Sequence, residues 1–206
     1  MELYLVRHGE TEWSRARRHT GRTDVALSPA GEAEALALGA HLDGLEVDRV
    51  LASPLQRAAI TARLAGFGER LETTPALLEF DYGDYEGLTT PQIHAGRPGW
   101  DLFRDGSPGG ETAAAVAERA RRLLDELPGG DGRAMLFGHG HQLRILATCW
   151  LGLPPDAARH LFLGTASVSV LGREHDWPAV LLWNEQEGSE AQRHEAGVPG
   201  WRGISR

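Results

Sequence analysis

Short runs of consecutive apolar residues alternate along the chain with longer stretches in which apolar residues recur at helical spacing. The first run, Leu3 to Val6, stops at Arg7-His8-Gly9. Four apolar residues suited to strands and ended by Gly predict a buried strand with Arg7 and His8 at its carboxyl tip. Glu10 to Asp24 shows no sustained period and reads as a loop at a site. Ser28-Pro29 supplies a helix start, an N-cap followed by Pro at the first helical position, and the Ala/Leu-rich residues 30–42 carry the helix to Gly44. Val47 to Ala52 predicts a second strand. Ser53-Pro54 repeats the start signal for a helix to about Ala65, and Ser53 as N-cap sets Arg57 one turn into it. A short strand from Glu72 to Pro75 precedes the acidic, aromatic, Gly-punctuated segment Leu77 to Gly87, which reads as loop. Thr90-Pro91 caps a short helix, and Arg97 to Gly110 reads as irregular cover. Gly110-Glu111-Thr112 opens a helix to about Leu127 with Val116, Ala120, Leu123, Leu124 and Leu127 in one stripe, stopped by Pro128-Gly129-Gly130. Ala134 to Phe137 is a second buried run, and it ends in Gly138-His139-Gly140-His141. A helix from about Gln142 to Leu151 and strands at Ser167 to Leu171 and Ala179 to Trp183 follow. The polar, Gly-rich tail beyond Glu185 is expected to fray. Strands alternating with helices predict a three-layer α/β/α sandwich with a mainly parallel central sheet, as a single domain over residues 1–206.

Composition narrows the class without naming a chemistry. No apolar stretch approaches the roughly 20 residues that cross a bilayer, and Glu2 stands where a signal peptide carries basic residues, so a cytoplasmic home is expected. Cys149 is the one cysteine; it cannot form an internal disulfide and reads as a small core residue. A formal net charge of −8 argues against affinity for nucleic acid or anionic membrane. The sequence leaves the oligomeric state open, a homodimer included. Arg15, Arg17, Arg18 and Arg22 crowd together all the same, as a local focus for an anionic substrate or as ordinary solvated surface. Trp13, Trp100, Trp150, Trp177, Trp183 and Trp201 form no stripe and read as packing residues.

Two predicted strands end in a histidine, and two arginines fall at corresponding strand or helix ends. At the carboxyl edge of an open α/β sheet, where ligands bind, all four side chains could converge. A phosphoryl group in transfer spreads negative charge over three oxygens, and fixed guanidinium and imidazole donors stabilise that charge. Arg suits the task through its planar fork. One imidazole has to be neutral to attack phosphorus, and neighbouring arginine charge favours that form. His139 and His141, two apart, lack the further His, Cys or carboxylate partners of a metal site, so no metal and no cofactor is expected. Of the carboxylates Glu79, Asp81, Asp84 and Glu86, periodicity selects none.

Arg7-His8-Gly9-Glu10-Thr11, Leu27-Ser28-Pro29-Ala30-Gly31, Ser53-Pro54-Leu55-Gln56-Arg57, Glu79 to Gly87 and Gly138-His139-Gly140 together resemble the blocks of the histidine phosphatase superfamily, the phosphoglycerate mutase-like proteins, in order and spacing. The resemblance covers residues 2 to about 172. It implies His8 as nucleophile, Arg7, Arg57 and His139 as the phosphate pocket, and Glu79 as the acid that protonates the leaving oxygen and then serves as base for water. Ser14, Thr20, Gly21, Tyr82, Gly140 and His141 are the candidates for contacting the rest of the substrate, and His141, Tyr82, Thr20 and Gly21 read equally as core or rim residues.

Departures from the mutase pattern favour hydrolysis. Ser14 and Arg17 stand where mutases of the family carry Asn, and Ser14 can still donate one hydrogen bond. The span from Glu86 to Gly109 is short and lacks the paired basic residues of a mutase insertion, although it holds Arg97 and Arg104. Trp13-Ser14, His19-Thr20-Gly21, Gly83 to Gly87 and Trp100 to Gly106 look like the phosphatase branch, with its broad-specificity acid phosphatases and sedoheptulose bisphosphatase. The expected function is hydrolysis of small phosphate monoesters, sugar phosphates or a broad set, through a phosphohistidine. A phosphoglycerate mutase and a non-catalytic phospho-ligand binding module are the competing classes.

Overall fold

The computed structural model describes residues 1–127 and 130–186. The stop expected at Pro128-Gly129 and the tail beyond Gln186, Trp201 included, lie outside the described residues. Six strands, β1 (Glu2–Arg7), β2 (Arg49–Ala52), β3 (Leu71–Thr73), β4 (Arg133–Gly138), β5 (Val168–Glu174) and β6 (Trp177–Glu185), form one sheet in the order β3-β2-β4-β1-β5-β6. Pairing is parallel from β3 through β1, then antiparallel from β1 to β5 and from β5 to β6. The sheet is therefore mixed, and parallel over the half that ends at the site.

Side-chain alternation divides the core. Leu3, Leu5, Leu51, Ala134 and Leu136 face one layer, built from α6 (Ala113–Glu126) and α7 (Gly140–Trp150). Tyr4, Val6, Val50, Ala52, Met135 and Phe137 face the other, built from α2 (Pro29–His41) and the segment after α3 (Gln56–Ala62). Residues of opposite parity thus bury both faces of the central strands, which is why those strands read as continuous apolar runs. A satellite core of Phe80, Tyr82, Ile93, Trp100, Leu102, Phe103, Val116 and Ile145 packs the segment between β3 and α6 against the helices.

Several local expectations are corrected. Residues 10–24 are not wholly irregular, because a capping box between Thr11 and Ser14 starts the short helix α1 (Glu12–Arg15). Ser53 does not cap α3. Its hydroxyl accepts from Leu55 N (3.3 Å) in the preceding turn, and Leu55 is the N-cap, so Arg57 is the helix's second residue. That helix ends at Ala62 and passes into a π-type turn in which Gly66 takes φ 88°, a conformation that breaks the 3.6-residue period. Thr89, not Thr90, caps α4 (Thr90–Gly96), through a reciprocal bond with Gln92. The expected irregular cover contains α5 (Leu102–Asp105). Cys149 packs against the core from its margin, partly buried, with its Sγ reaching Ala117 O (3.7 Å), while Trp177 is 76% exposed rather than packed. Among the described residues no helix is long and apolar enough to cross a membrane.

Candidate active site

The parallel register of β1 and β4 pairs Arg7 with Gly138, so the next residue of each strand, His8 and His139, emerges abreast at the carboxyl edge. His8 N donates to Gly138 O (3.1 Å), and the two imidazoles lie 5.2 Å apart between centroids at 60°. Both are buried, at 5% and 0% exposure. His8 Nδ1 faces the carbonyl oxygen of Gly9 at 2.7 Å. A carbonyl only accepts, so the proton sits on Nδ1 and the lone pair on Nε2. Burial, then the charges of Arg57 and Arg7, hold His8 well below its ordinary value, and burial and Arg57 do the same to His139.

Arg57 is fully buried and largely committed. Nε donates to His139 Nδ1 (3.2 Å), Nη1 to Thr23 O (2.9 Å), and Nη2 to Thr20 O (3.2 Å) and Gly21 O (2.9 Å). Four of its five N–H groups are thus engaged, and one, on Nη1, is left. Arg7 donates from Nη1 to Leu163 O (2.5 Å). Its Nε and His139 Nε2 are buried donors without a protein acceptor, which an anion's oxygens would satisfy.

Of the four candidate carboxylates the fold brings Glu79 alone to the cavity wall. Its Oε1 accepts from Phe80 N (2.8 Å) and Gln142 N (2.9 Å), and its Oε2 from His141 N (3.1 Å). The first turn of α7 thereby fixes the carboxylate. Asp81 instead faces Arg22 (3.5 Å), and Glu86 accepts from Gly21 N and Thr23 N. The arginine cluster separates in the same way: Arg22 pairs with Asp81 and Glu111, Arg15 with Glu12, and Arg17 and Arg18 reach the cavity.

That cavity holds about 560 Å³. Arg7, His8, Ser14, Thr20, Glu79, Tyr82, Gly140 and His141 line it; Arg57, His139 and Gly21 do not. Gly21 is tied instead to Glu86 and Arg57. Ser14 lies on the wall, yet its hydroxyl donates to Thr11 O (3.0 Å) while accepting from Thr11 N (2.9 Å), so its proton serves the cap of α1. Tyr82 and His141 meet at 2.6 Å between Oη and Nδ1. Burial raises the phenol well above its ordinary value and lowers the imidazole well below its own, so Tyr82 donates to a neutral His141. His19 stands 4.9 Å from the Tyr82 ring and is pushed down to about 4 by burial.

Three supporting residues escaped the sequence reading. Thr61 Oγ1 accepts from Gly9 N (3.1 Å) and donates to Arg57 O (2.7 Å), linking the histidine loop to α3. Arg119 holds the 76–79 turn through Ala76 O (2.8 Å) and Glu79 O (3.2 Å). Arg144 lines the cavity one turn beyond Gly140. Only the i, i+3 and i+4 spacing from His141 and Gly140 could have pointed to Arg144; no local pattern marks the other two. Among the described residues no three His, Cys, Asp or Glu side chains converge as a metal-binding group.

Paired neutral imidazoles, guanidinium donors and one carboxylate at the carboxyl edge of an α/β sheet are the equipment of phosphoryl transfer. The chain belongs to the histidine phosphatase superfamily (branch 1), whose family model matches residues 3–186. An acid phosphatase of Mycobacterium tuberculosis is 43% identical over 177 residues, 84% of this chain and 87% of that protein. The sedoheptulose 1,7-bisphosphatase of Saccharomyces cerevisiae is 34% identical, covering 72% and 67% of the two chains. A probable phosphoglycerate mutase of Erwinia tasmaniensis is 35% identical, covering 82% and 83%. The solved mycobacterial glucosyl-3-phosphoglycerate phosphatase superposes with a TM-score of 0.81 at 30% identity, over 90% of this chain and 99% of that one. By family and relatives the chain is a phosphoric monoester hydrolase.

Proposed function

We propose that this phosphatase hydrolyses small phosphate monoesters, sugar phosphates among them, through phospho-His8, without a metal or other cofactor. The observation that carries the reading is the commitment of His8 Nδ1–H to Gly9 O, which leaves Nε2 as an unprotonated nucleophile in a cationic cavity. Nε2 attacks phosphorus, the bond from phosphorus to the ester oxygen breaks, and the phosphoryl group passes to His8. Arg7 Nε and His139 Nε2–H donate to its oxygens, and Arg57 adds the charge and the one remaining N–H. Glu79 delivers a proton to the departing alkoxide from Oε2, which accepts one main-chain N–H against the two held by Oε1. It then takes a proton from the water that attacks phosphorus. The phosphorus–nitrogen bond breaks, and phosphate leaves with His8 and Glu79 restored.

The acidic chain with one cysteine fits action on small solutes in the cytoplasm, with neither nucleic acid nor membrane as partner. The short cover between Glu86 and Gly109 and its lack of a basic pair facing the cavity favour water as the phosphoryl acceptor. Arg97 and Arg104 both lie beside Asp105 (3.9 and 2.7 Å). The likeness to a probable mutase keeps phosphoryl return to the substrate as the second reading. Incubation with 3-phosphoglycerate and 2,3-bisphosphoglycerate separates the two. Phosphate release without interconversion, lost in His8→Ala, supports the phosphatase; interconversion without release overturns it.

A further inference from the structure

We propose that Arg144 anchors a second anionic group on the substrate, a carboxylate or a second phosphate carried on the same skeleton as the ester that His8 attacks. The inference rests on the phosphatase reading and names the substrate class of the same cavity. Gly140, His141 and Arg144 present one face of α7 to the cavity, so the helix that fixes Glu79 also fixes the guanidinium. Arg144 is partly buried and clamped twice. Its Nε donates to Ala158 O (2.9 Å), and its guanidinium carbon lies 4.7 Å from the centroid of the Phe103 ring. Among the described residues its two terminal nitrogens meet no acceptor, and no carboxylate lies within ion-pair distance. Burial lowers its pKa only to about 10, so the group stays charged at neutral pH.

Glu79 and Asp101 act on Arg144 only from beyond ion-pair distance, and a partly buried, immobilised guanidinium with no carboxylate in contact is costly unless a ligand supplies one. Other half-buried arginines of this chain have that partner: Arg119 faces Glu111 (3.1 Å) and Arg133 faces Glu2 (3.0 Å). Arg144 faces a cavity whose one lining carboxylate, Glu79, is already held by three main-chain N–H groups. The volume of about 560 Å³ exceeds what a lone phosphate needs, and the exposed Arg17 and Arg18, which line the same cavity, draw anions toward it. A substrate with a second anion can therefore engage Arg7 with one group and Arg144 with the other, both of which line the same cavity.

The test uses matched pairs that differ only in the second group: glycerol 3-phosphate against 3-phosphoglycerate for a carboxylate, and glucose 6-phosphate against glucose 1,6-bisphosphate for a phosphate. Wild type should favour the doubly anionic member of at least one pair. In Arg144→Gln, which keeps much of the side chain's length over Phe103, that preference in kcat/KM should fall about 10- to 100-fold, with the loss in KM. Arg144→Lys should recover part of it, and Arg122→Gln, on the exposed face of α6, should leave it unaltered. The responding pair identifies the anion. Equal losses on both members of each pair, or no preference in wild type, would overturn the anchor. Calorimetric binding of the same four ligands to His8→Ala separates the two readings. Arg144-dependent binding without turnover in wild type retains the anchor and sinks the phosphatase, whereas turnover with no Arg144-dependent preference does the reverse.

Discussion

Arg57 donates from Nε to Nδ1 of His139 at 3.2 Å, and this single bond decides what His139 can do. A guanidinium has no acceptor, so Nδ1 must accept and the ring's proton must sit on Nε2. Nε2–H is then a fixed donor at the edge of the site, beside the His8 ring. The same guanidinium holds the carbonyls of Thr20, Gly21 and Thr23, so one side chain sets a tautomer and positions a loop of the cavity.

Arg57→Lys keeps the charge but cannot reproduce four directed bonds. Its kcat/KM should fall about 10²- to 10³-fold, the scale seen on removing one preorganised donor. The melting temperature should fall too, as three loop carbonyls lose their partner. Steady-state kinetics and thermal unfolding of Arg57→Lys, His139→Gln and the double variant check this. Additive losses across the cycle would show that the two residues act independently.

Glu79→Gln should slow alkyl phosphates by about 10²- to 10⁴-fold while changing aryl phosphates far less, since a good leaving group needs no proton. Comparing glycerol 3-phosphate with p-nitrophenyl phosphate reads the difference, and equal losses would remove Glu79 as the acid. The amide also sets an NH₂ against main-chain donors, so about 1–3 kcal/mol of stability should go with it.

The buried histidines make stability depend on pH in a definite direction. His8, His139 and His141 are held well below 6.5 and His19 is pushed to about 4, each chiefly by burial. Between those values and 6.5 the unfolded chain binds more protons than the native one, so stability rises with pH across that window. This contribution is complete above 6.5 and is lost as pH falls below it. Urea midpoints should drop steadily from pH 7 to pH 4.5, and His19→Phe should reduce the slope. A flat or inverted profile would contradict the buried, neutral state. Over the first part of that range, kcat/KM per folded enzyme should not decline through protonation of His8.

Close backbone approach makes two motif glycines structural. A Cβ on Gly31 would collide with the main chain of Glu10, and one on Gly9 with the carbonyl of Gly31. Gly31→Ala should therefore cost about 1–3 kcal/mol or more by overpacking, and lower activity by displacing the loop that carries His8. Gly96→Ala, in α4 with open space around it, should be neutral or slightly stabilising. Chemical denaturation of the two variants gives the contrast.

Much of the framework was legible because it is local. Apolar runs of four between polar boundaries marked β1 and β4, and Ser28-Pro29 marked the start of α2, where Ser28 Oγ indeed accepts from Gly31 N (3.1 Å). Ser53-Pro54 misled for the opposite reason. The same two residues can make a turn as readily as a cap, and packing against β4, where Ser53 N bonds Phe137 O (2.9 Å), selected the turn. The Arg-His-Gly and Gly-His-Gly motifs named His8 and His139, but strand register, a relation across 131 residues, set them side by side.

By itself, then, the sequence determined the alternation of buried strands and helices, the pair of histidines at strand ends and the surplus of arginine near one of them, because these depend on residue type and near neighbours. Only the tertiary structure decided which groups meet the cavity and in what state. It took Glu79 from four carboxylates, tied the Ser14 hydroxyl to the cap of α1 and Gly21 to Glu86 and Arg57, committed Arg57 to His139 and a loop, and left Arg144 clamped with no carboxylate in contact. Burial, hydrogen-bond partnership and net local charge are sums over groups far apart in the chain, and no window along it contains them.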